Sequence, residues 1–113
     1  MEIVEKKQGN VNVLSLSGRL DAYSATEVEK KLDSLIESGQ VNLVIDLEEL
    51  EYISSSGLRV FLAALKETKK QQGDIKLARM KPFIKEVFDI AGFSQLFNIF
   101  ESEEAAVNNF GEA

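Results

Sequence analysis

The sequence predicts an α/β domain: a small mixed sheet of about five strands with flanking helices, in the order β-β-α-β-α-β-α-β-α. Three observations predict it. After the first two segments, strand-like and helix-like runs alternate, which implies parallel strands joined by right-handed crossovers. Gly9-Asn10 separates two strand-like runs, a hairpin signal that adds an antiparallel component. Val41 to Leu47 is a nearly continuous apolar run, as a central strand covered on both faces requires. The chain has 113 residues, and the expectation is a single domain over 1–113.

Taken in order, the hairpin strands are "EIVEKKQ" and "VNVLSLSG". "SATEVEKKLDSLIESG" reads as a helix, because Ala25, Val28, Leu32, Leu35 and Ile36 recur at three- and four-residue steps. Ser24 and Glu27 have the spacing of a capping box, and Gly39 is a stop. "VNLVIDL" is the central strand. "EELEYISSS" then connects it to a helix beginning near Gly57, with Leu58, Phe61, Leu62 and Leu65 on one face and an end at Gly73. Tyr52 and Ile53 are expected to pack inward. "DIKLARM" is a strand. "KPFIKEVFDIAG" is a helix with Pro82 in its first turn, an apolar face of Phe83, Ile84, Val87, Phe88 and Ala91, and a stop at Gly92. "LFNIF" is a short strand, and "SEEAAVNNF" is a last helix capped by Ser102, with acids in the first turn where the helix dipole favours them. Phe83, Phe88, Phe93, Phe97 and Phe100 read as core, with Phe93 partly exposed.

Composition excludes several classes of chemistry. There is no Cys, so there is no thiol nucleophile and no thiolate metal site. There is no His, so the usual zinc sites lose their ligands and a Ser-His-Asp relay has no base. No catalytic residue, metal site or cofactor is assigned. A net charge of -6 disfavours nucleic acid, whose binding rests on neutralising phosphates with a basic surface. No apolar run approaches the roughly 20 residues of a membrane span, and "MEIVEKKQG" lacks a signal-like core. A cytoplasmic location follows as the expectation.

The candidate site is Ser54-Ser55-Ser56-Gly57. In an α/β sheet, functional groups gather at the carboxyl ends of the strands, and this loop leaves a strand and enters a helix there. A helix start presents unpaired N–H groups and a partial positive charge, favourable for an oxyanion, including a phosphate on a serine. A single serine at such a place is ordinarily just a cap. One cap needs one side chain, and here there are three. Asp21, in "SGRLDAYSA", is either a second helix cap or a carboxylate beside the serines; cap preferences favour the first.

The pattern resembles the STAS domain family, and within it the bacterial anti-sigma factor antagonists. The matching stretches are "LSGRLDAYSA", "LVIDLEELEYISSSGLRVFLAALK" and "ARMKPFIKEVFDIAGFSQLFNIFES", covering roughly residues 2–110. The resemblance implies a mixed sheet with flanking helices and a partner-switching function. The unphosphorylated antagonist binds an anti-sigma factor that is also a serine kinase, and the sigma factor is released. Phosphorylation separates the pair, and a serine phosphatase resets the cycle. The antagonist is not itself an enzyme, and neither direct nucleic-acid binding nor a membrane is implied.

By position, the resemblance assigns phosphorylation to Ser56. It assigns partner binding to Asp21, Ser54, Ser55, Gly57, Leu58 and Arg59, with Leu58 and Arg59 exposed. Many members have Asp where this chain has Ser54, which bears on recognition by the kinase and makes Ser54 and Ser55 alternative acceptors. Three other readings remain. A STAS-type nucleotide- or ligand-sensing module without a kinase partner would use the same edge, although no Walker-type loop is present. A serine nucleophile would lack its histidine. A receiver-like phosphoacceptor would need acidic companions that Asp46 lacks in sequence.

Overall fold

The computed structural model of the protein describes residues 1–111, so the last two residues of the expected 1–113 domain lie outside the described residues. The elements are β1 (Glu2–Gln8), β2 (Val11–Leu20), α1 (Ala22–Glu37), β3 (Asn42–Asp46), β4 (Leu50–Ile53), α2 (Ser55–Lys70), β5 (Asp74–Ala78), α3 (Pro82–Ala91), β6 (Asn98–Phe100) and α4 (Glu103–Asn108). The mixed α/β architecture is as the sequence predicts. The order differs at one place, because the segment read as a connection contains a sixth strand, β4.

β1 and β2 form the antiparallel hairpin. Gln8 pairs with Val11, which leaves Gly9-Asn10 as a two-residue turn, and Gly9 takes the positive φ of 63° that this turn demands. All other pairings are parallel, in the sheet order β1-β2-β3-β5-β6. β4 exists because β2 outlasts its neighbour. β2 has ten residues and β3 only five. Residues 12–15 of β2 pair with β3, and residues 18–20 pair with β4, with a register shift between Gly18 and Arg19. The polar segment "LEYI" becomes a strand by satisfying the backbone groups that β3 leaves open, not by an apolar pattern.

Strand alternation divides the core. Leu14, Leu16, Leu43, Ile45, Ile75 and Leu77 face α1, α2 and α3, where they meet Val28, Leu32, Phe61, Leu65 and Phe88. The Phe88 ring lies 6.4 Å from Phe61 and 6.0 Å from Phe97, centroid to centroid. Val11, Val13, Val44 and Ala78 form a smaller cluster on the opposite face, covered by α4 through Ala106. Of the five aromatic residues read as core, Phe88 and Phe97 are buried and Phe93 and Phe100 are half-buried. Phe83 is an exception. It is exposed, because α3 buries only Ile84 and Phe88 against the sheet.

Helix ends follow local chemistry with two corrections. Pro82 opens α3, Gly92 closes it in the left-handed conformation, and the Ser102 hydroxyl caps α4 by accepting from Ala105 N–H. α1, however, starts at Ala22 and not at Ser24. Its capping box joins Asp21 and Ser24, not Ser24 and Glu27, because the chain is still extended at Asp21 as it leaves β2. α2 likewise starts at Ser55, two residues before Gly57.

Candidate functional site

β2 and β4 run side by side and end together, Leu20 paired with Ile53. Ser54 N–H extends the pairing by donating to the Leu20 carbonyl at 2.8 Å. The next residue on each strand is therefore a helix N-cap: Asp21 for α1 and Ser54 for α2. Two helix N-termini stand next to each other at the carboxyl edge of the sheet. Each contributes unpaired N–H groups and the positive end of its dipole.

Asp21 acts as the cap that its position suggests. Its Oδ1 accepts from Tyr23 N–H at 3.1 Å, from Ser24 N–H at 2.9 Å and from the Ser24 hydroxyl at 3.1 Å. These bonds, the Ser24 backbone foremost, hold its carboxyl below the ordinary aspartate range. Ser24 is buried, and its single hydroxyl proton is shared between Asp21 Oδ1 and the nearer Arg19 carbonyl at 2.7 Å, which ties the α1 start to β2.

The three serines separate by role. Ser54 Oγ accepts from Gly57 N–H at 3.2 Å and caps α2. Ser55 and Ser56 are the first two helical residues, Ser55 exposed and Ser56 half-buried. Among the described residues neither of their hydroxyls has a protein hydrogen-bond partner. Ser54 does what an aspartate would do at a helix start, since both are good N-caps. It fills that structural task with a neutral side chain.

Gly57 and Leu58 are not on the surface. Gly57 is buried, and a Cβ there would lie 2.7 Å from Leu20 Cγ and 2.9 Å from Leu20 Cδ2. Leu58 is only 6% exposed and belongs to the main core, which corrects the expectation that it is exposed. The reason is helical geometry: Leu58, Phe61 and Leu65 share one face, and that face packs on the sheet. Arg59 points to solvent, as expected. The structure thus gathers Asp21, Ser54, Ser55 and Ser56 at one edge, with Arg59 on the first turn of α2 beside them. Gly57 and Leu58 serve this edge by seating the helix.

Sequence reasoning missed three exposed residues at this edge. Tyr23, in the first turn of α1, is 84% exposed. Tyr52 faces outward and not inward, with the Arg19 guanidinium 4.2 Å above its ring. Exposed tyrosine and arginine are the types enriched at protein interfaces. Tyr52 was hidden in the sequence because its facing depends on β4, which no local pattern marks.

A second polar cluster lies where β3 and β5 end. Asp46 is 2% exposed and receives Arg79 Nε at 3.1 Å on both carboxylate oxygens, with Arg79 Nη2 on Oδ2 as well. Arg79 Nη1 also meets Glu48 at 2.9 Å. Burial, the largest single influence, pushes the Asp46 carboxyl up, but the Arg79 guanidinium, Glu103 and the Glu48 backbone N–H together outweigh it and hold the group below its ordinary range. The nearest companion of Asp46 is a cation, and Arg79 also meets Glu48 and Glu103, so a buried carboxylate is paired here with a half-exposed guanidinium. Among the described residues no group of three or more carboxylates is placed to hold a metal ion. No helix among the described residues is long and apolar enough to cross a membrane.

Comparison with known proteins agrees with this geometry. The model of the STAS domain matches residues 2–106. The chain is 35% identical over 113 residues to BtrV of Bordetella bronchiseptica, a candidate anti-sigma factor antagonist, covering 100% of this chain and 97% of that protein. It is 34% identical over 104 residues to the anti-sigma-B factor antagonist of Bacillus subtilis, covering 92% of this chain and 94% of that one. Among solved structures, the Bacillus anti-sigma factor antagonist SpoIIAA in its unphosphorylated form superposes with a TM-score of 0.86, at 22% identity and 96% coverage of both chains. SpoIIAA in its phosphorylated form superposes with a TM-score of 0.78, at 22% identity over 96% of this chain and 99% of that one.

Proposed function

The chain belongs to the STAS domain family, and with its antagonist relatives as premise we propose that it is an anti-sigma factor antagonist switched at Ser56. Unphosphorylated, it binds an anti-sigma factor through the edge formed by Asp21, Ser54, Ser55, Ser56 and Arg59, and so releases a sigma factor. Gly57 and Leu58 contribute by holding α2 in place. The anti-sigma factor is a serine kinase that transfers phosphate from ATP to Ser56, and a serine phosphatase removes it. The protein acts by binding, as one domain over residues 1–113 in the cytoplasm, and is not itself an enzyme.

One observation carries this reading. With Ser54 committed to the cap, the hydroxyls of Ser55 and Ser56 are left without a protein partner among the described residues in the first turn of α2, and the family pattern selects Ser56 of the two. A phosphate there gains the unpaired N–H groups of the first turn and the helix dipole. It adds about 1.5 to 2 negative charges and strong acceptor oxygens to a neutral hydroxyl. The domain accommodates that locally, and the similarity of this fold to SpoIIAA in both forms supports a switch without refolding. A partner lying flat on the edge has to desolvate the charge. Losing about 3 kcal/mol at such an interface weakens it about a hundredfold, enough to change partners.

The test uses the protein, Ser56→Ala and Ser56→Asp with candidate anti-sigma kinases and ATP. Intact mass reads phosphate uptake, and gel filtration reads the complex. The switch requires Ser56→Ala to bind without gaining phosphate and Ser56→Asp to bind poorly. Phosphate appearing on Ser54 or Ser55 would overturn the site assignment.

A further inference from the structure

The far end of α2 carries a feature that the serine switch does not use. Leu62 is followed three and four residues on by Leu65 and Lys66, and these by Lys69 and Lys70, so the five form one stripe of the helix. Leu96, 49% exposed in the segment after α3, closes the other side. Together they line a shallow, open depression of about 700 Å³. Its floor is leucine and its rim is lysine. This is unusual for a chain of net charge -6.

Shape and charge select the occupant. A small apolar ligand needs walls that bury most of its surface, and this depression has none. An amphipathic helix needs an open trough with anchors at helical spacing, which this is. The rim then sets the sign of the flanking charges. Lys69 reaches Asp74 at 3.4 Å and Lys70 reaches Glu67 at 3.2 Å, both through lysine side chains more than half exposed, where ion pairs contribute little. Lys66 has no ion-pair partner among the described residues.

We propose that this trough is a second docking surface, which takes an acidic amphipathic helix of a partner protein independently of the phosphorylation state of Ser56. Leu65 lies nine residues beyond Ser56 on α2, about 14 Å along the helix axis. The screening length at physiological salt is about 8 Å, so the field of a phosphate at Ser56 is largely lost at the trough. A partner held there stays tethered through both halves of the switch cycle. The tether raises the local concentration of whatever acts on the serine edge.

The probe is a synthetic lactam-stapled helical peptide with leucines on one face and glutamates beside them. Binding is followed by fluorescence anisotropy and by the methyl signals of Leu62, Leu65 and Leu96 in the full-length, methyl-labelled chain. Saturable shifts at these leucines are expected. The double variant Lys66→Glu/Lys70→Glu, whose exposed positions leave folding intact, should weaken binding about tenfold or more, as loss of rim charge does. Leu96→Glu should weaken it similarly, and Ser56→Asp should leave it unchanged.

The proposal is overturned if the same peptide with lysines in place of glutamates binds equally well. It is also overturned if sodium laurate shifts the same methyls while the acidic peptide does not. Shifts that grow with concentration of the protein alone would assign the trough to a second copy of this chain and reject the peptide. Loss of peptide binding in Ser56→Asp would remove the independence from the switch.

Discussion

Replacing Gly57 by Ala isolates the contact that seats the serine edge. The added Cβ would lie 2.7 Å from Leu20 Cγ, 2.9 Å from Leu20 Cδ2 and 3.1 Å from Ile53 Cγ1. These atoms are locked in the packed core and have no room to swing aside. Leu20 is fully buried in β2, Ile53 is buried in β4, and the two strands pair at these residues. One methyl forced into a packed site costs about 1–3 kcal/mol. Alanine returns up to about 1 kcal/mol of helix propensity over glycine, and less than that in a first turn. The net is a destabilisation of about 1–2 kcal/mol. For a domain of this size, that lowers Tm by about 4–15 °C. Thermal and urea unfolding of the purified variant read it directly. Leu20→Ala supplies the second arm, because it removes the atoms that the methyl would strike. On its own it costs about 2–5 kcal/mol as a cavity mutation, and combined with Gly57→Ala it should be less damaging than the sum of the two. A Gly57→Ala protein as stable as the original, or strict additivity in the cycle, refutes the packing argument. In that case the glycine needs another explanation than Leu20.

Ser54→Ala removes the α2 cap and should cost about 1 kcal/mol, whereas Ser54→Asp should stay within about 0.5 kcal/mol of the original because Asp caps equally well. Urea midpoints compared at constant slope decide it, and equal losses in both variants would deny Ser54 its capping role. Arg79→Met leaves the buried Asp46 carboxylate without its cation and should cost about 2–4 kcal/mol, somewhat below a fully buried pair because Arg79 is partly solvated. The same pair sets a pH dependence. The carboxyls of Asp46 and Asp21 are lowered on folding from the ordinary value of 3.8, so near that pH the unfolded chain holds more protons. Their contribution is complete above pH 3.8 and is lost as the pH falls through the lower folded values. Stability measured across acid pH should therefore decline less steeply in Arg79→Met, and an unchanged slope would exclude the ion pair as its source.

Much of this architecture is written locally. The Gly9-Asn10 turn, the apolar Val41–Leu47 run, Pro82 at the start of α3, Gly92 at its end and the Ser102 cap each act within a few residues, so a linear reading finds them. The serine loop was legible for the same reason: a helix start announces itself through its cap residues. The parts that were not legible depend on pairing. "LEYI" has no strand pattern of its own, and Tyr52 faces outward only because β4 forms. Asp46 and Arg79 meet across a separation of 33 residues, through adjacent strand ends. The lysine-rimmed trough needs Leu96, brought from a different segment, before it has a second side.

The sequence by itself determined that three hydroxyls stand at a helix start and that only one is needed to cap it. Which one caps it was a tertiary decision. β2 runs beyond β3, β4 pairs with the exposed half, and that pairing ends at Ile53 against Leu20. The first residue free of the sheet is consequently Ser54, and the helix begins one step later. Ser55 and Ser56 are left with spare hydroxyls beside the N-terminus of α1, because unsatisfied backbone groups on one strand dictated where the next strand had to stop.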